Sequence, residues 1–266
     1  MVENAALIDE MSLFKKKISS LIKLDLTNYK NAQMERRILA YMHKNGMDNL
    51  LSFYKVLEKD AEMLEQFVNM LTINVSEFFR NQEKFEELEQ VYLPELLKRK
   101  SCLKIWSAGC SIGAEIYSIA MILDKLNKLE SCKLIASDFD INIINKAKSG
   151  IYLQHEVQSM PDEYMRYFTK TDDSEEKYIL DSKIVNSVKF ERSDLLNSSF
   201  EKNFDLVLCR NVVIYFTEEA KDVLYKKFYD SLLPGGILFI GSTERIQDHK
   251  SIGYNLLTPF FYQKPL

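Results

Sequence analysis

The rhythm of apolar positions changes near residue 100. Before it, apolar residues recur at helical spacing: between Asn28 and Lys44, the residues Met34, Ile38, Tyr41 and Met42 fall at i, i+4, i+7 and i+8. That stripe predicts one buried helix face, with Lys30, Arg37 and Lys44 on another. Asn45-Gly46 is a break, and Asp48 and Asp60 suit helix starts. Residues 1–72 therefore read as a small helical domain and 73–100 as a linker and connecting helix. From residue 101 short β-rich runs alternate with helical stretches, the signature of βαβ units and a parallel sheet. Predicted strands are Leu103–Ser107, Lys133–Ser137, Val188–Glu191, Phe204–Cys209 and Ile237–Gly241, with Pro259–Gln263 able to close the sheet. Helices fit Glu83–Lys98, Ala114–Leu126, Ile141–Ser149 and Thr217–Leu232, the last stopped by Leu233-Pro234-Gly235-Gly236. The alternation lapses over residues 150–187, where Thr171–Lys177 reads as an exposed turn. The predicted fold is α/β: an N-terminal all-α domain, then a doubly wound Rossmann-like domain over 101–266 with a small inserted subdomain.

Composition narrows the class. The chain has 266 residues, 46% hydrophobic and 28% charged, with 8 Gly and 5 Pro, which describes a folded globular protein and not a disordered one. A net charge of −4 lacks the basic footprint of a protein that grips phosphate backbones, which weighs against nucleic acid. The first residues place acids ahead of any apolar stretch, unlike a secretory signal, and no run reaches the ~20 apolar residues of a membrane span. A cytoplasmic location without membrane insertion is expected. Cys102, Cys110, Cys132 and Cys209 lack CxxC spacing and read as reduced, mostly buried thiols. His43, His155 and His249 lack ligand spacing, so no metal is expected. Residues 11–44 hold eight basic side chains against two acids, which suits either a solvated face or a docking face for an acidic partner.

The candidate chemistry lies at predicted strand ends. In LKIWSAGCSIGAEIYSIA, Gly109 and Gly113 follow a strand and open a helix, where open α/β sheets bind cofactors. The spacing is not GxGxxG and the turn holds no basic residue, so a cofactor without phosphates fits better. Asp138, in ASDFD, sits where a carboxylate accepts bonds from ribose hydroxyls; Asp140 is the better helix cap, leaving Asp138 free. Asp194-Leu195 and Asn211-Val212 likewise follow strands.

With these residues in view, the chain resembles the CheR family of chemotaxis receptor methyltransferases from about Leu24 to Gln263. The markers are LTINVSEFFR (71–80), IWSAGCSIGAEIYSIA (105–120), ASDFD (136–140), DLVLCRNVVIYF (205–216) and LPGGILFIGSTE (233–244). The resemblance implies a class I methyltransferase domain with a small inserted β-subdomain over 150–187, S-adenosylmethionine as cofactor, S-adenosylhomocysteine as product, and receptor glutamates as acceptors. It implies that Asn74, Ser76 and Arg80 face the cofactor, Ser76 standing for the usual Thr. Glu115 would meet the amino-acid or ribose part and Asp138 the ribose, while Asp194, Leu195, Asn211 and Val212 would line the adenine and sulfonium region. Arg80 and Tyr215 resemble the pair beside the transferred methyl. Two departures stand out: the family's GEEPYS is Gly113-Ala114-Glu115-Ile116-Tyr117-Ser118, and the Asn of its NL pair is Asp194.

A glutamate carboxylate, with a reference pKa near about 4.3, is already a nucleophile at neutral pH, so alignment replaces general-base catalysis. The expected partner is the cytoplasmic domain of a methyl-accepting receptor, met through Lys30, Arg37 and Lys44. The alternative is a non-catalytic adaptor or sensor that binds the same cofactor.

Overall fold

The computed structural model describes residues 2–72, 76–172 and 176–266. It divides into two compact units, Met1–Ile73 with Tyr215–Lys221, and Asn74–Ile214 with Asp222–Leu266.

The first unit holds α1 (Val2–Ile22), α2 (Asn31–Lys44), α3 (Leu50–Lys59) and α4 (Ala61–Thr72). Phe14, Phe53 and Phe67, all buried, meet with ring centroids 5.4–6.2 Å apart and supply its centre. Met34, Ile38 and Met42 are buried as their spacing requires, whereas Tyr41 is half-buried. It sits at the stripe's edge, where its ring reaches Phe67 and its hydroxyl Gln66. Asn49, not Asp48, caps α3 through Ser52 N–H at 2.9 Å; Asp48 instead lies 3.3 Å from His43. Asp60 does cap, accepting from Met63 N–H.

The expected basic face is corrected at Arg37. Its half-buried guanidinium donates to the carbonyls of Met70 and Leu71, the orphan acceptors of the last turn of α4, so it serves the fold while Lys30 and Lys44 stay exposed. Burial lowers its pKa. Tyr215–Lys221 joins this unit through Lys30 N–H to Tyr215 O at 2.9 Å, Thr217 N–H to Asn28 O at 2.9 Å, and the Tyr29 ring against Phe216.

The second unit opens with α5 (Gln82–Glu87), a π turn (Leu88–Tyr92) and α6 (Leu93–Arg99), so the predicted single helix carries an interruption. Pro94 explains it: with no N–H to donate, it cannot continue the α ladder, and Leu93 N–H reaches back to Leu88 O. There follow β1 (Lys104–Ala108), α7 (Ala114–Lys125), β2 (Lys133–Asp138), α8 (Ile141–Ser149), β3 (Ile151–Tyr152), α9 (Gln154–Val157), β4 (Phe168–Lys170), β5 (Tyr178–Leu180), α10 (Ser182–Asn186), β6 (Val188–Arg192) and β7 (Phe204–Cys209). After α11 (Glu218–Ser231), β8 (Leu232–Ile240), α12 (His249–Ile252), β9 (Asn255–Thr258) and β10 (Phe261–Gln263) complete the chain. The main sheet runs β6-β2-β1-β7-β8-β10-β9, parallel through β8 and antiparallel at β10 and β9. Its fully buried strand β7 reads as a continuous apolar run apart from Asp205, as a parallel strand covered on both faces should.

Two boundaries differ from expectation. The closing run is a hairpin of two strands, because the turn at Pro259-Phe260 folds β9 back on β10. β8 begins directly after α11, and the Pro234-Gly235-Gly236 stretch shifts its register against β7 instead of preceding it. The small inserted subdomain expected over 150–187 is present as a separate antiparallel sheet, β3-β5-β4, closed by Thr171 N–H to Lys177 O; residues 173–175 of the expected turn lie outside the described residues. Cys110 and Cys209 are buried, but Cys102 is exposed and Cys132 half-buried. No described helix is long and apolar enough to cross a membrane, and no described group of three or more His, Cys, Asp or Glu side chains could hold a metal.

Candidate functional site

In the second unit, the loops after β1, β2 and β7 converge at the carboxyl ends of adjacent parallel strands. Gly109 has φ +75°, and a Cβ there would lie 2.6 Å from Val212 Cγ2, so only glycine lets the β1 loop approach the β7 loop this closely. Gly109 and Cys110 N–H both donate to Ser137 O, at 2.8 and 2.9 Å. Ser111, at φ +49°, turns its N–H onto Asp138 Oδ2 at 2.8 Å.

Asp138 is therefore not the free carboxylate the sequence predicts. It also accepts from Asp140 N–H at 3.1 Å, while Asp140 caps α8 through Asn142 and Ile143 N–H. Burial pushes the Asp138 carboxyl up and these backbone donors hold it back. With about four lone-pair sites on a carboxylate, the Ser111 and Asp140 bonds and the nearby Phe139 N–H still leave acceptor capacity for a ligand.

Glu115, in the first turn of α7, accepts from Ser107 Oγ at 3.1 Å and faces Arg210 Nη1 at 3.2 Å. Burial raises its pKa, and the Arg210 guanidinium opposes that rise. Arg210 escaped sequence reasoning. It closes the apolar strand β7, its side chain is 3% exposed, and Nη2 donates to Arg80 O at 2.7 Å and Asn81 Oδ1 at 2.8 Å. A charged residue ending a wholly buried strand was the available signal.

Asn211 takes φ +59°, and its loop is gathered by Glu244, a second residue not foreseen. The buried Glu244 carboxylate accepts from the N–H groups of Gly241, Asn211 and Val213 at 2.6, 3.0 and 3.0 Å. Burial raises its pKa against the pull of these donors and of Ile214 N–H. Asp194 spends its carboxylate inside its own loop, on Leu196 and Asn197 N–H and on Asn197 Nδ2. These bonds hold the Asp194 carboxylate to its own loop, next to the buried Leu195. Lys227 holds this loop from α11, donating to the carbonyls of Leu195, Leu196 and Ser198 at 2.7–2.9 Å. It extends from the same helix as the buried Leu224 and Phe228.

Ser76 and Arg80 are half-buried in the second unit, while Tyr215 falls in the first. Asn74 lies outside the described residues. The structure thus brings together Gly109, Glu115, Asp138, Asn211 and Val212, adds Arg210 and Glu244, and links Arg80 to Arg210 through its carbonyl. Two buried polar atoms, Ser111 Oγ and Arg210 Nε, have no protein partner among the described residues, and both belong to these strand ends.

The family profile "CheR methyltransferase, SAM binding domain" matches residues 74–258, and "CheR methyltransferase, all-alpha domain" matches residues 9–72. A chemotaxis protein methyltransferase of Listeria monocytogenes is 39% identical over 253 residues, covering 94% of this chain and 95% of that one. One from Borreliella burgdorferi is 30% identical, covering 96% and 94%. A crystal structure of the glycopeptide N-methyltransferase MtfA with S-adenosylmethionine is 12% identical, with a TM-score of 0.35, over 56% of this chain and 52% of that one.

Proposed function

Because this chain belongs to the CheR methyltransferase family and is an S-adenosylmethionine-dependent methyltransferase, we propose that it esterifies glutamate side chains on the cytoplasmic domain of chemotaxis receptors. The observation that carries the reading is the cradle of Gly109, Ser111, Asp138 and Val212. Its glycine lets the β1 loop close directly onto Val212, and its buried Ser111 hydroxyl has no protein partner among the described residues. No cation stands in the β1 loop to meet a phosphate, which suits a nucleoside sulfonium.

When bound, S-adenosylmethionine supplies an electrophilic methyl group on sulfur. Asp138 would hold ribose hydroxyls with its remaining lone pairs. Glu115, its charge balanced by Arg210, would meet the cofactor's polar end, with Asn74, Ser76 and the Asp194-Leu195 backbone completing the enclosure. Asn211 and Val212 would flank the adenine and sulfonium. The acceptor carboxylate is ionised at neutral pH and needs no base. Arg80 would draw it in and orient it, and the Tyr215 hydroxyl would set its approach. Because a tight ion pair would stabilise the ground state as much as the transition state, the gain lies in alignment. For the receptor, the exposed Lys30 and Lys44 support a basic contact that steers encounter, with Arg37 committed to α4.

The test is incubation with methyl-labelled S-adenosylmethionine and a receptor cytoplasmic fragment, followed by alkali. Label released as methanol is the expected result, and Arg80→Ala should abolish most of it while keeping the far-UV circular dichroism. Absence of alkali-labile label, with S-adenosylhomocysteine binding intact and the fragment methylated by another family member, would overturn the assignment and favour an adaptor.

A further inference from the structure

Arg80 sits on a turn the chain does not adopt easily. Phe79 has φ +52° and Asn81 φ +62°, so Arg80 is flanked by two left-handed residues that are not glycine. Such a conformation persists only where the surroundings impose it. On one side they visibly do. Phe78 packs edge-on against Tyr152 and Phe168, with centroids 4.8 and 5.2 Å away, and Phe79 lies 4.4 Å from Tyr164 and donates its N–H to Ser118 Oγ at 3.1 Å.

On the other side the restraint is Arg210. One nitrogen of its guanidinium holds both Arg80 O and Asn81 Oδ1, while the other faces Glu115. The group is itself fixed between the rings of Phe85 and Phe239, with its carbon 5.2 and 4.5 Å from their centroids. Planarity makes these contacts interdependent: turning the fork to improve one loses the others. The charge of Arg80 is also felt at Glu115 and Arg210, so like-charge repulsion opposes Arg80 folding back onto Arg210.

We propose that Arg210 is a positioning residue for methyl transfer: oriented by Glu115 and its two phenylalanines, it locks the Phe79–Asn81 turn and so fixes where Arg80 presents its guanidinium to the acceptor carboxylate. This rests on the reading of Arg80 given above. It makes Arg210 the covalent-free link between the carboxylate on the cofactor side and the arginine on the acceptor side.

A double-mutant cycle on the full chain tests it, using Arg80→Ala, Arg210→Lys and the pair, with kcat expressed per site that binds S-adenosylhomocysteine. Lysine keeps the charge opposite Glu115 but lacks the fork needed to reach all three partners. Arg210→Lys should lower kcat about 30-fold, the scale of a small misplacement of a reacting group, with S-adenosylhomocysteine affinity held within about threefold. The double variant should be no slower than Arg80→Ala alone. A kcat within threefold of wild type for Arg210→Lys, or losses that multiply in the double variant, overturns the inference while leaving the role of Arg80 standing. Wild-type turnover by Arg80→Ala overturns that role instead, and the route through it. If Arg210→Lys does not fold, Asn81→Gly decides. Glycine accepts φ +62° without strain yet removes the Oδ1 contact, so a lower kcat with an unchanged or raised Tm supports the lock, and an unchanged kcat overturns it.

Discussion

The loops after β6 and β7 lie at equivalent strand ends, yet they are anchored by charges of opposite sign. Glu244 gathers the N–H groups of Gly241, Asn211 and Val213, whereas Lys227 gathers the carbonyls of Leu195, Leu196 and Ser198. Each answers the same problem: a loop that shows side chains or backbone to a ligand turns its remaining polar groups inward, where they must find partners. One loop turns donors inward and receives an anion; the other turns acceptors inward and receives a cation. The anchors differ in burial too, Glu244 being 6% exposed, whereas Lys227, entering from α11, is half-buried. The two loops should therefore differ in how much they lose when their anchor is removed.

The sharpest way to break this comparison is Glu244→Gln. The amide keeps one acceptor oxygen and turns an NH₂ donor onto backbone donors, leaving buried N–H groups unpaired. Stability should fall by about 3 kcal/mol, and the displaced Asn211-Val212 segment should reduce kcat/KM for S-adenosylmethionine about 100-fold. Thermal melting and initial rates check both; a variant within 1 °C and twofold of wild type removes Glu244 from the account.

Lys227→Met comes next. Methionine fills the channel of the aliphatic stem and deletes the donor, leaving the carbonyls of Leu195, Leu196 and Ser198 without it, in a loop whose Leu196 and Ser198 are only half-buried. A loss of about 1 kcal/mol and a rise of about fivefold in the KM for S-adenosylmethionine are expected, with kcat nearly unchanged because the loop carries no group assigned to the reacting atoms. A loss equal to that of Glu244→Gln would show that burial of the anchor does not set the difference.

These anchors mark where sequence reading stops. The loops themselves were legible, because strands of five or six apolar residues, glycines at φ > 0 and acids at strand ends are local signals; Gly109, Asp138 and Asn211 stand where those signals put them. The anchors were not, since their partners are backbone atoms that every residue possesses, and nothing in the spelling of Leu195 or Val213 points to Lys227 or Glu244. The same reason hid Arg37, which reads as one of a row of basic residues and is spent on the last carbonyls of α4. At Asp194 the motif position was legible but the local bonding was not: its carboxylate closes its own turn on Leu196 and Asn197. The all-α and α/β halves were readable from periodicity. The π turn at Leu88–Tyr92 and the β9 strand were not, as each depends on one proline or one tertiary pairing.

A third anchor supplies the lower end of the scale. Asp124 on α7 receives Lys183 Nζ at 2.7 Å and Tyr167 Oη at 2.8 Å, tying the inserted subdomain to the core, but Lys183 is half exposed. The Lys183 ammonium, with help from Tyr167, holds the Asp124 carboxyl below its ordinary value even though burial pulls the other way. The sign follows from linkage: a carboxyl depressed in the folded state contributes stability that is fully present above its unfolded value, and that contribution fades as pH falls from about 4 through the folded value. Water competes for Lys183, so the contribution at neutral pH belongs with exposed ion pairs and is small. Asp124→Asn should therefore shift Tm by less than about 2 °C at pH 7 and leave turnover unchanged. Its effect should show in hydrogen exchange at β4 and β5: wild type should lose protection there as pH is lowered below about 4, after correction for the intrinsic exchange rate, while the variant should show the lower protection at every pH. If the variant instead loses activity as Glu244→Gln is expected to, the ranking of anchors by burial fails.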